Sequence, residues 1–171
     1  KALLLVGFAG GFRRSELVGL NVSDIDFVRQ GMTITIRKSK TDQLGEGRKI
    51  GIPFARGRHC PVKSLEQWIE GLPAPIGALF RPTTRHGRIA GQRLSGEAVS
   101  LVVKERVVMI GLAGSEYSGH SLRAGLATSA AMHGVSTIAI RQQTGHQSDA
   151  MLARYIRSGE LFTNNAAGKL L

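Results

Sequence analysis

Alternation in one short segment decides where this chain can form a sheet. Residues Met32–Arg37 read MTITIR, which puts Ile34 and Ile36 on one face of an extended chain and the two threonines and the arginine on the other. A period of two over six residues is typical of a strand that buries one face. The segment therefore predicts a strand, and the fold must supply strand neighbours for its backbone hydrogen-bonding groups.

Weaker patterns on both sides supply those neighbours. In Asp24–Phe27 (DIDF) the aspartates alternate with apolar residues, which predicts a strand with both carboxylates on its outer face. Residues 29–31 (RQG) suit a hairpin turn. A polar, glycine-containing loop at 39–47 leads to a third predicted strand, Arg48–Pro53. Together these segments predict a small three-stranded antiparallel sheet.

Helical periodicity dominates the rest of the chain. Pro61 suits the first turn of a helix, and apolar residues follow it at helical spacing. Residues 71–93 are rich in glycine, proline and arginine and are expected to be mostly loop. The predicted helices are residues 1–9, 14–20, 61–69, 95–110, 120–132, 135–143 and 149–157. The expected fold class is therefore α+β: a mostly helical domain with a small three-stranded antiparallel sheet at one edge.

The charge of the chain indicates a polyanionic partner. Its 171 residues carry 23 Lys and Arg against 12 Asp and Glu, a net charge of +11. Nucleic acid is the first candidate and an anionic membrane the second; no apolar run approaches the roughly 20 residues that cross a bilayer. The basic residues cluster in the predicted hairpin and loops. Those expected to contact a DNA backbone are Arg37, Lys38, Arg81, Arg85, Arg88 and Arg93.

Two stretches in the first half of the chain each contain a basic side chain that could point into a cleft. In residues 11–17 (GFRRSEL), Arg13 follows a glycine break at the mouth of a predicted helix. In residues 39–42 (SKTD), Lys40 lies at the tip of the predicted hairpin. Each is weak evidence alone, because most surface arginines and loop lysines are simply solvated.

Two stretches in the second half supply further polar groups. In residues 119–125 (GHSLRAG), His120 and Arg123 lie three residues apart and so share one helix face near its N-terminus. The helix N-terminus adds partial positive charge there. His146 follows Thr-Gly, and Tyr155 comes nine residues later.

The four stretches together resemble the tyrosine recombinase (phage integrase) family. The family pattern is an Arg in G-x-R-x-S-E-L, a Lys in a β-hairpin, H-x-x-R, G-H and a downstream Tyr, and all five parts occur here in order. The segments around Ser39–Thr41 and Tyr155–Arg157 are particularly similar to those of Cre recombinase and of bacterial mobile-element integrases. The resemblance implies that residues 1–171 form the family's C-terminal catalytic domain.

The resemblance also implies an activity and a role for each matching residue. The activity is site-specific DNA recombination or integration, by strand cleavage and rejoining through a covalent 3′-phosphotyrosine, with no metal, ATP or other cofactor. The matching positions are Arg13 and Arg123 for the two active-site arginines, His120 for the general acid/base, His146 for the His-or-Trp position, Lys40 for the hairpin lysine, Tyr155 for the nucleophile and Glu16 for a supporting carboxylate.

The residue types suit this chemistry on their own terms. Guanidinium forks bind the non-bridging oxygens of a phosphodiester, whose charge grows in the transition state. A free tyrosine has a pKa of about 10, so forming its phenolate at pH 7 costs roughly 4 kcal/mol. His120 is a sensible base for the proton of Tyr155, and Lys40 can protonate the departing 5′ oxygen. The sequence contains neither H-E-x-x-H nor a Cys/His ligand set.

Three alternatives explain part of the same evidence. A type IB topoisomerase relaxes DNA with a similar set of residues, although the Gly-His motif and the short hairpin favour a recombinase. A metal-dependent nuclease could use Asp24 and Asp26 with a histidine. A non-catalytic DNA-binding module could use helices 120–132 and 135–143 as a helix-turn-helix-like pair, but it would not need the complete active-site set.

The expected partners follow from the resemblance. They are double-stranded DNA and three further copies of the chain in a tetramer on DNA, with a monomer in the absence of DNA and no membrane. Residues 159–171 are expected either to pack on a neighbouring subunit or to fray. The family's N-terminal core-binding domain is expected to be absent here, which would leave weak, salt-sensitive DNA binding. The single Cys60 excludes an internal disulfide and fits a reducing, intracellular setting. With the resemblance, the expected location is cytoplasmic, in a bacterial protein associated with the nucleoid.

Overall fold

A three-stranded antiparallel sheet forms where the alternation predicts it. The structure, a computed structural model, describes residues 1–37 and 47–159. Strands β1 (Ile25–Val28), β2 (Gly31–Ile36) and β3 (Arg48–Pro53) are hydrogen-bonded in the order β1-β2-β3. Ile34 pairs with Ile25 on one side and with Ile50 on the other. The sheet prediction is confirmed, and the buried strand face carries Met32, Ile34, Ile36, Ile50 and Ile52.

The prediction that both aspartates face outward is wrong for Asp24. This residue ends a 3₁₀ turn, Val22–Asp24, and is only 3% exposed. Its carboxylate accepts hydrogen bonds from the backbone N–H of Asn21, at 2.8 Å, and from the Nε of Arg37. The strand starts one residue later, at Ile25, because Asp24 is held in the turn by these bonds.

Helices make up most of the remaining structure, as predicted. Local signals set several of their ends: Pro61 opens one helix, and the Ser95 hydroxyl caps another by accepting the N–H of Ala98 at 3.1 Å. The described helices are α1 (Ala2–Ala9), α2 (Arg14–Gly19), α3 (Pro61–Glu70), α4 (Gly96–Val108), α5 (Ser121–Met132), α6 (Thr137–Thr144) and α7 (Asp149–Gly159), with a 3₁₀ turn at Gly114–Glu116.

Two apolar clusters hold these elements together. The larger joins α1, α2, α3 and the buried face of the sheet. The smaller consists of Ala127 and Ala131 of α5, Ile140 of α6 and Leu152 of α7, with Tyr155 packed against it. Alanines on α5 let α7 approach closely, and this fixes the position of Tyr155 relative to the start of α5.

The described helices are short, and α4 has 13 residues. Over residues 1–37 and 47–159, no helix is both long enough and apolar enough to cross a bilayer.

Candidate active site

Five of the predicted site residues meet at one open pocket. The pocket has a volume of about 260 Å³. It is lined by Arg13, His120, Arg123, His146, Met151 and Tyr155. These residues come from the start of α2, the start of α5, the segment after α6, and α7, so the fold assembles the pocket from four separate parts of the chain.

His120 and Tyr155 are in direct contact at the mouth of the pocket. The Nε2 atom of His120 lies 2.6 Å from the hydroxyl oxygen of Tyr155, and the two rings are tilted by 49°. Partial burial lowers the pKa of His120 below its usual value of 6.5, and the positive charges of Arg123 and Arg13 lower it further. A neutral imidazole is therefore favoured at neutral pH, and it can accept the tyrosine proton.

Arg123 is a buried guanidinium fixed by backbone carbonyls. It is 2% exposed, and its Nη1 donates to the carbonyl oxygens of Gly11, at 2.9 Å, and of Thr144. Burial lowers its pKa to about 10, with a smaller contribution from the charge of Arg13, so it remains charged at neutral pH. Its Nε and Nη2 make no hydrogen bond to the described residues, which leaves these donors for a ligand in the pocket.

Arg13 is held at the start of α2 by Glu16. The Glu16 carboxylate, whose side chain is 1% exposed, accepts the backbone N–H of Arg13 and its Nη1, both at 2.8 Å. Because Glu16 is the third residue of α2, it also satisfies a backbone donor at the helix start. The Nη2 of Arg13 reaches the carbonyl oxygen of Gly145 at 3.3 Å, which links α2 to the segment after α6.

Arg48 is a second partner of Glu16, and the sequence motifs do not reveal it. It begins β3, and its Nη2 lies 3.3 Å from Glu16 Oε2. It also donates to the carbonyl oxygens of Gln143, at 2.9 Å, and of Thr144, at 3.2 Å. Burial lowers its pKa, and the charge and hydrogen bond of Glu16 oppose that shift. Its partners lie far away in either direction along the chain, so no local pattern marks it.

Arg13, Arg48 and Arg123 all donate to backbone carbonyl oxygens at the end of α6. Free carbonyls at a helix C-terminus carry partial negative charge, which suits nearby cations. Gly145 ends this helix with a left-handed backbone (φ 70°), and a Cβ there would lie 2.8 Å from the Arg48 guanidinium. The backbone angle thus favours glycine, and any Cβ at this position would displace the Arg48 guanidinium.

His146 follows directly and is almost buried, at 7% exposed. Its Nδ1 lies 2.7 Å from the hydroxyl of Thr144, and its ring centroid lies 5.8 Å from that of Tyr155. Burial lowers its pKa to about 4, and the positive charges of Arg123, Arg13, His120 and Arg48 add to that effect. His146 is therefore neutral at pH 7.

The predicted DNA-contacting residues fall into three groups. Lys38, together with the predicted catalytic Lys40, lies outside the described residues. Arg85 and Arg88 are exposed on the loop between α3 and α4, as a phosphate contact requires. Arg37, Arg81 and Arg93 are instead bound to carbonyl or side-chain oxygens of other segments.

Those partners argue against DNA contact most strongly for Arg81. It is 8% exposed and donates to the carbonyl oxygens of Ala74, Ile76 and Ala78. Arg93 is bound by the carbonyl oxygens of Val18 and Leu20 and by Asn21, and Arg37 by Asp24 and Ser23. Both of these nevertheless keep an exposed surface.

Possible metal ligands are dispersed over the described part of the chain. Residues 1–37 and 47–159 contain no cluster of three or more His, Cys, Asp or Glu side chains arranged to hold a metal ion. In particular, Asp24 is engaged by Asn21 and Arg37.

Comparison with known proteins identifies the family. The phage integrase family model matches residues 1–160. The chain belongs to the phage integrase family. This confirms the resemblance drawn from the four sequence stretches.

Two members of the phage integrase family match most of this chain. An integrase/recombinase XerD homolog of Selenomonas ruminantium is 43% identical over 99% of this chain and 50% of its own length. The tyrosine recombinase XerC of Roseiflexus sp. (strain RS-1) is 32% identical over 86% of this chain and 44% of its own. The chain spans about half the length of the relatives it matches.

Solved structures of the family share the fold. A XerH site-specific recombinase bound to palindromic difH substrate, in a post-cleavage complex, superposes with a TM-score of 0.73 at 22% identity, over 98% of this chain and 44% of that one. The XerA recombinase gives a TM-score of 0.67 at 23% identity, over 99% of this chain and 54% of that one. The mostly helical architecture with its small sheet is therefore the catalytic-domain fold of tyrosine recombinases, as expected.

Proposed function

We propose that residues 1–171 form the catalytic domain of a site-specific recombinase that cleaves and rejoins double-stranded DNA through Tyr155. The observation that carries the proposal is the 2.6 Å contact between the hydroxyl of Tyr155 and the Nε2 of His120, in a pocket that two arginines also line. A nucleophile, its base and paired phosphate ligands are what a phosphoryl transfer through tyrosine needs. The names of the relatives, recombinases and integrases, agree with this chemistry.

Cleavage would proceed by attack of the Tyr155 oxygen on the phosphorus of one phosphodiester. The hydroxyl proton passes to His120 Nε2 as the new O–P bond forms. Arg123, through its Nε and Nη2, and Arg13 bind the non-bridging oxygens and stabilise the added negative charge. Because their guanidiniums are already anchored by carbonyls and by Glu16, little reorganisation is needed when that charge develops.

The bond that breaks is the one between phosphorus and the 5′ oxygen. That oxygen leaves with the electron pair and needs a proton, which we assign to Lys40 on the strength of the sequence alone. Rejoining is the reverse reaction, with a 5′ hydroxyl from a partner strand attacking the 3′-phosphotyrosine. The phosphotyrosine keeps the phosphodiester's energy, so the exchange proceeds without ATP.

The partners we propose are double-stranded DNA and other copies of the protein. The net charge of +11 and the exposed Arg85 and Arg88 support binding to DNA. A tetramer on paired DNA sites, a cytoplasmic location and association with the nucleoid are further proposals. They rest on the family's way of working, and a sedimentation measurement with and without DNA tests the tetramer directly.

The decisive experiment is covalent capture. The protein is incubated with a pool of duplexes that have a randomised core and a nick just downstream of it. The short fragment that carries the released 5′ hydroxyl then diffuses away after cleavage, and the protein remains attached to the other fragment. The expected product is a protein–DNA adduct with the 3′ phosphate on Tyr155, identified by peptide mass. Sequencing of the captured DNA then gives the preferred site.

Two matched arms give the experiment its controls. Tyr155→Phe removes only the nucleophilic oxygen and is expected to abolish the adduct, while EDTA is expected to leave it unchanged. Cleavage that persists in Tyr155→Phe, or that EDTA abolishes, would point to a metal-dependent nuclease. Relaxation of supercoiled DNA with no exchange between two sites would point to a topoisomerase of the type IB kind.

A further inference from the structure

The hydroxyl of Thr144 has a single proton, and the structure shows where that proton goes. Thr144 Oγ1 lies 2.6 Å from the carbonyl oxygen of Ile140, one turn earlier in α6. A carbonyl only accepts, so the hydroxyl must be the donor in this contact. Thr144 is fully buried, at 0% exposed, so no water competes for the proton.

The second contact of the same hydroxyl then fixes the tautomer of His146. Thr144 Oγ1 lies 2.7 Å from His146 Nδ1. With its one proton already donated, the hydroxyl can only accept here, so Nδ1 must carry a proton. A neutral imidazole has one N–H, and therefore the Nε2 of His146 carries none.

That Nε2 is the edge of the ring available to the pocket. Nδ1 is turned toward buried Thr144, whereas the ring as a whole lines the pocket with Arg123 and Tyr155. Nε2 has no hydrogen-bond partner within the described residues, and no buried side-chain nitrogen there is left unpaired, so Nε2 is accessible from the pocket. An approaching phosphate oxygen would meet a lone pair rather than an N–H.

We propose that Thr144 is a positioning residue that keeps the Nε2 of neutral His146 unprotonated, so that a phosphate can bind there only if His146 takes up one proton. The proposal rests on the proposed function, since it takes a DNA phosphate to be the ligand of the pocket. It adds that engaging the phosphate is coupled to proton uptake.

Burial and the charges around His146 keep it neutral until a phosphate binds. Burial is the main reason that the pKa of His146 is about 4, and the charges of Arg123, Arg13, His120 and Arg48, which face it, lower the pKa further. Arg141, also nearby, donates to the His146 backbone carbonyl at 3.3 Å. A bound phosphate brings negative charge that offsets the arginines, so protonation becomes favourable and creates the missing N–H donor. Tyr155 also packs against the ring.

The test has a first arm that needs neither DNA nor catalysis. Nitrogen-15 NMR of histidine-labelled full chain reports the tautomer of each ring, and the His146 signals are assigned by their loss in His146→Gln. The expected result at pH 7 is a proton on Nδ1 of His146. A proton on Nε2 in the unmodified protein overturns the proposal.

The second arm measures sulfate binding, because sulfate keeps its charge between pH 5 and 8 and mimics a phosphate group. Uptake of one proton on binding predicts a dissociation constant that rises about tenfold per pH unit between pH 5 and 7. Thr144→Ser, which keeps the hydroxyl, is expected to behave the same. Thr144→Val, which lacks it, frees Nε2 to carry the proton, and its dissociation constant should change less than about threefold per unit.

Each outcome has a defined meaning. An unchanged slope in Thr144→Val overturns the proposal and assigns the proton to His120. The proposal is also overturned if sulfate fails to bind at pH 5. Because neither arm measures cleavage, failure to capture a phosphotyrosine would reject the proposed function while leaving the tautomer result in place.

Discussion

The Nε2 of His120 and the hydroxyl of Tyr155, 35 residues apart in the chain, lie 2.6 Å from each other. The contact is made by packing: α7 lies on the alanines of α5, and His120 immediately precedes α5. The packing of α7 on α5 therefore holds Tyr155 against its base.

The first prediction concerns the pH dependence of cleavage. The pKa of His120 is below its usual 6.5, so His120 is neutral, and able to accept a proton, down to more acidic pH than a free histidine. The single-turnover cleavage rate should therefore be level near pH 7 and fall only as the pH drops below 6.5. His120→Gln should lose about 10²- to 10⁴-fold in rate at pH 7 and should lack this acid limb.

A suitable control for that prediction is His133→Gln, because His133 lies at the far end of α5 and, within residues 1–37 and 47–159, its ring hydrogen-bonds only to its own helix. It should keep both the rate and the pH profile. An acid limb that survives in His120→Gln would show that another group accepts the tyrosine proton.

Most of the fold could be predicted because its signals are local. The alternation in Met32–Arg37 marked the central strand, and Arg48–Pro53 was predicted to the residue. Ser95 and Pro61 marked helix starts because capping depends on neighbours in sequence. Asp24 shows the limit: alternation suggested an outward carboxylate, but a turn and a contact with Arg37 bury it.

The site was predictable only as far as a sequence motif reaches. Arg13, His120, Arg123, His146 and Tyr155 were identified because their motifs resemble the family pattern, and the structure brings them together. Arg48 was missed because its role depends on packing between β3 and the end of α6, which no local pattern records. Arg81 was assigned to DNA by its charge, but its guanidinium is buried and donates to three backbone carbonyl oxygens.

The second prediction tests Arg48 as a support of the site. Arg48→Ala leaves Glu16 with one cation fewer and removes donors from the carbonyls of Gln143 and Thr144. We expect the free energy of unfolding to fall by about 1–3 kcal/mol, because a buried carboxylate loses part of its compensation. Cleavage should also slow, since the segment carrying His146 loses one of the arginines that hold it.

Lys49→Ala is the matched control for Arg48, because Lys49 is the next residue of β3 and its side chain is exposed. Urea titration of both variants and capture assays under identical conditions make the comparison. If Lys49→Ala and Arg48→Ala are equally stable and equally active, Arg48 does not support the site.

The third prediction concerns Gly145, at the end of α6. It separates two contributions to the free energy of unfolding: the strain of a left-handed backbone and the contact with Arg48. Gly145 and Gly134 have nearly equal backbone angles, φ 70° and 72°. A Cβ at Gly145 would lie 2.8 Å from the Arg48 guanidinium, whereas one at Gly134 would meet nothing within 4 Å. Substitution of either by Ala should cost about 1–2 kcal/mol for the left-handed conformation.

Only Gly145→Ala should in addition displace Arg48, so it should unfold at lower urea than Gly134→Ala and cleave DNA more slowly. When each substitution is made separately in an Arg48→Ala protein, the two variants should have nearly equal free energies of unfolding. Equal effects of the two substitutions in the native background would contradict a tight contact between Gly145 and Arg48.

The last prediction divides the arginines of the loop between α3 and α4 by their surroundings. Arg85 and Arg88 are exposed, so replacing both by Ala should weaken DNA binding and lower the salt slope by about 0.9 for each phosphate that the variant no longer neutralises. Arg81→Ala should instead lower the free energy of unfolding, because three carbonyl oxygens lose their donor, and should leave the salt slope unchanged. Affinity measured at several salt concentrations, beside urea titration of each variant, gives both quantities. A lower salt slope in Arg81→Ala would return Arg81 to the DNA-binding surface, and an unchanged slope in the double variant would remove Arg85 and Arg88 from it.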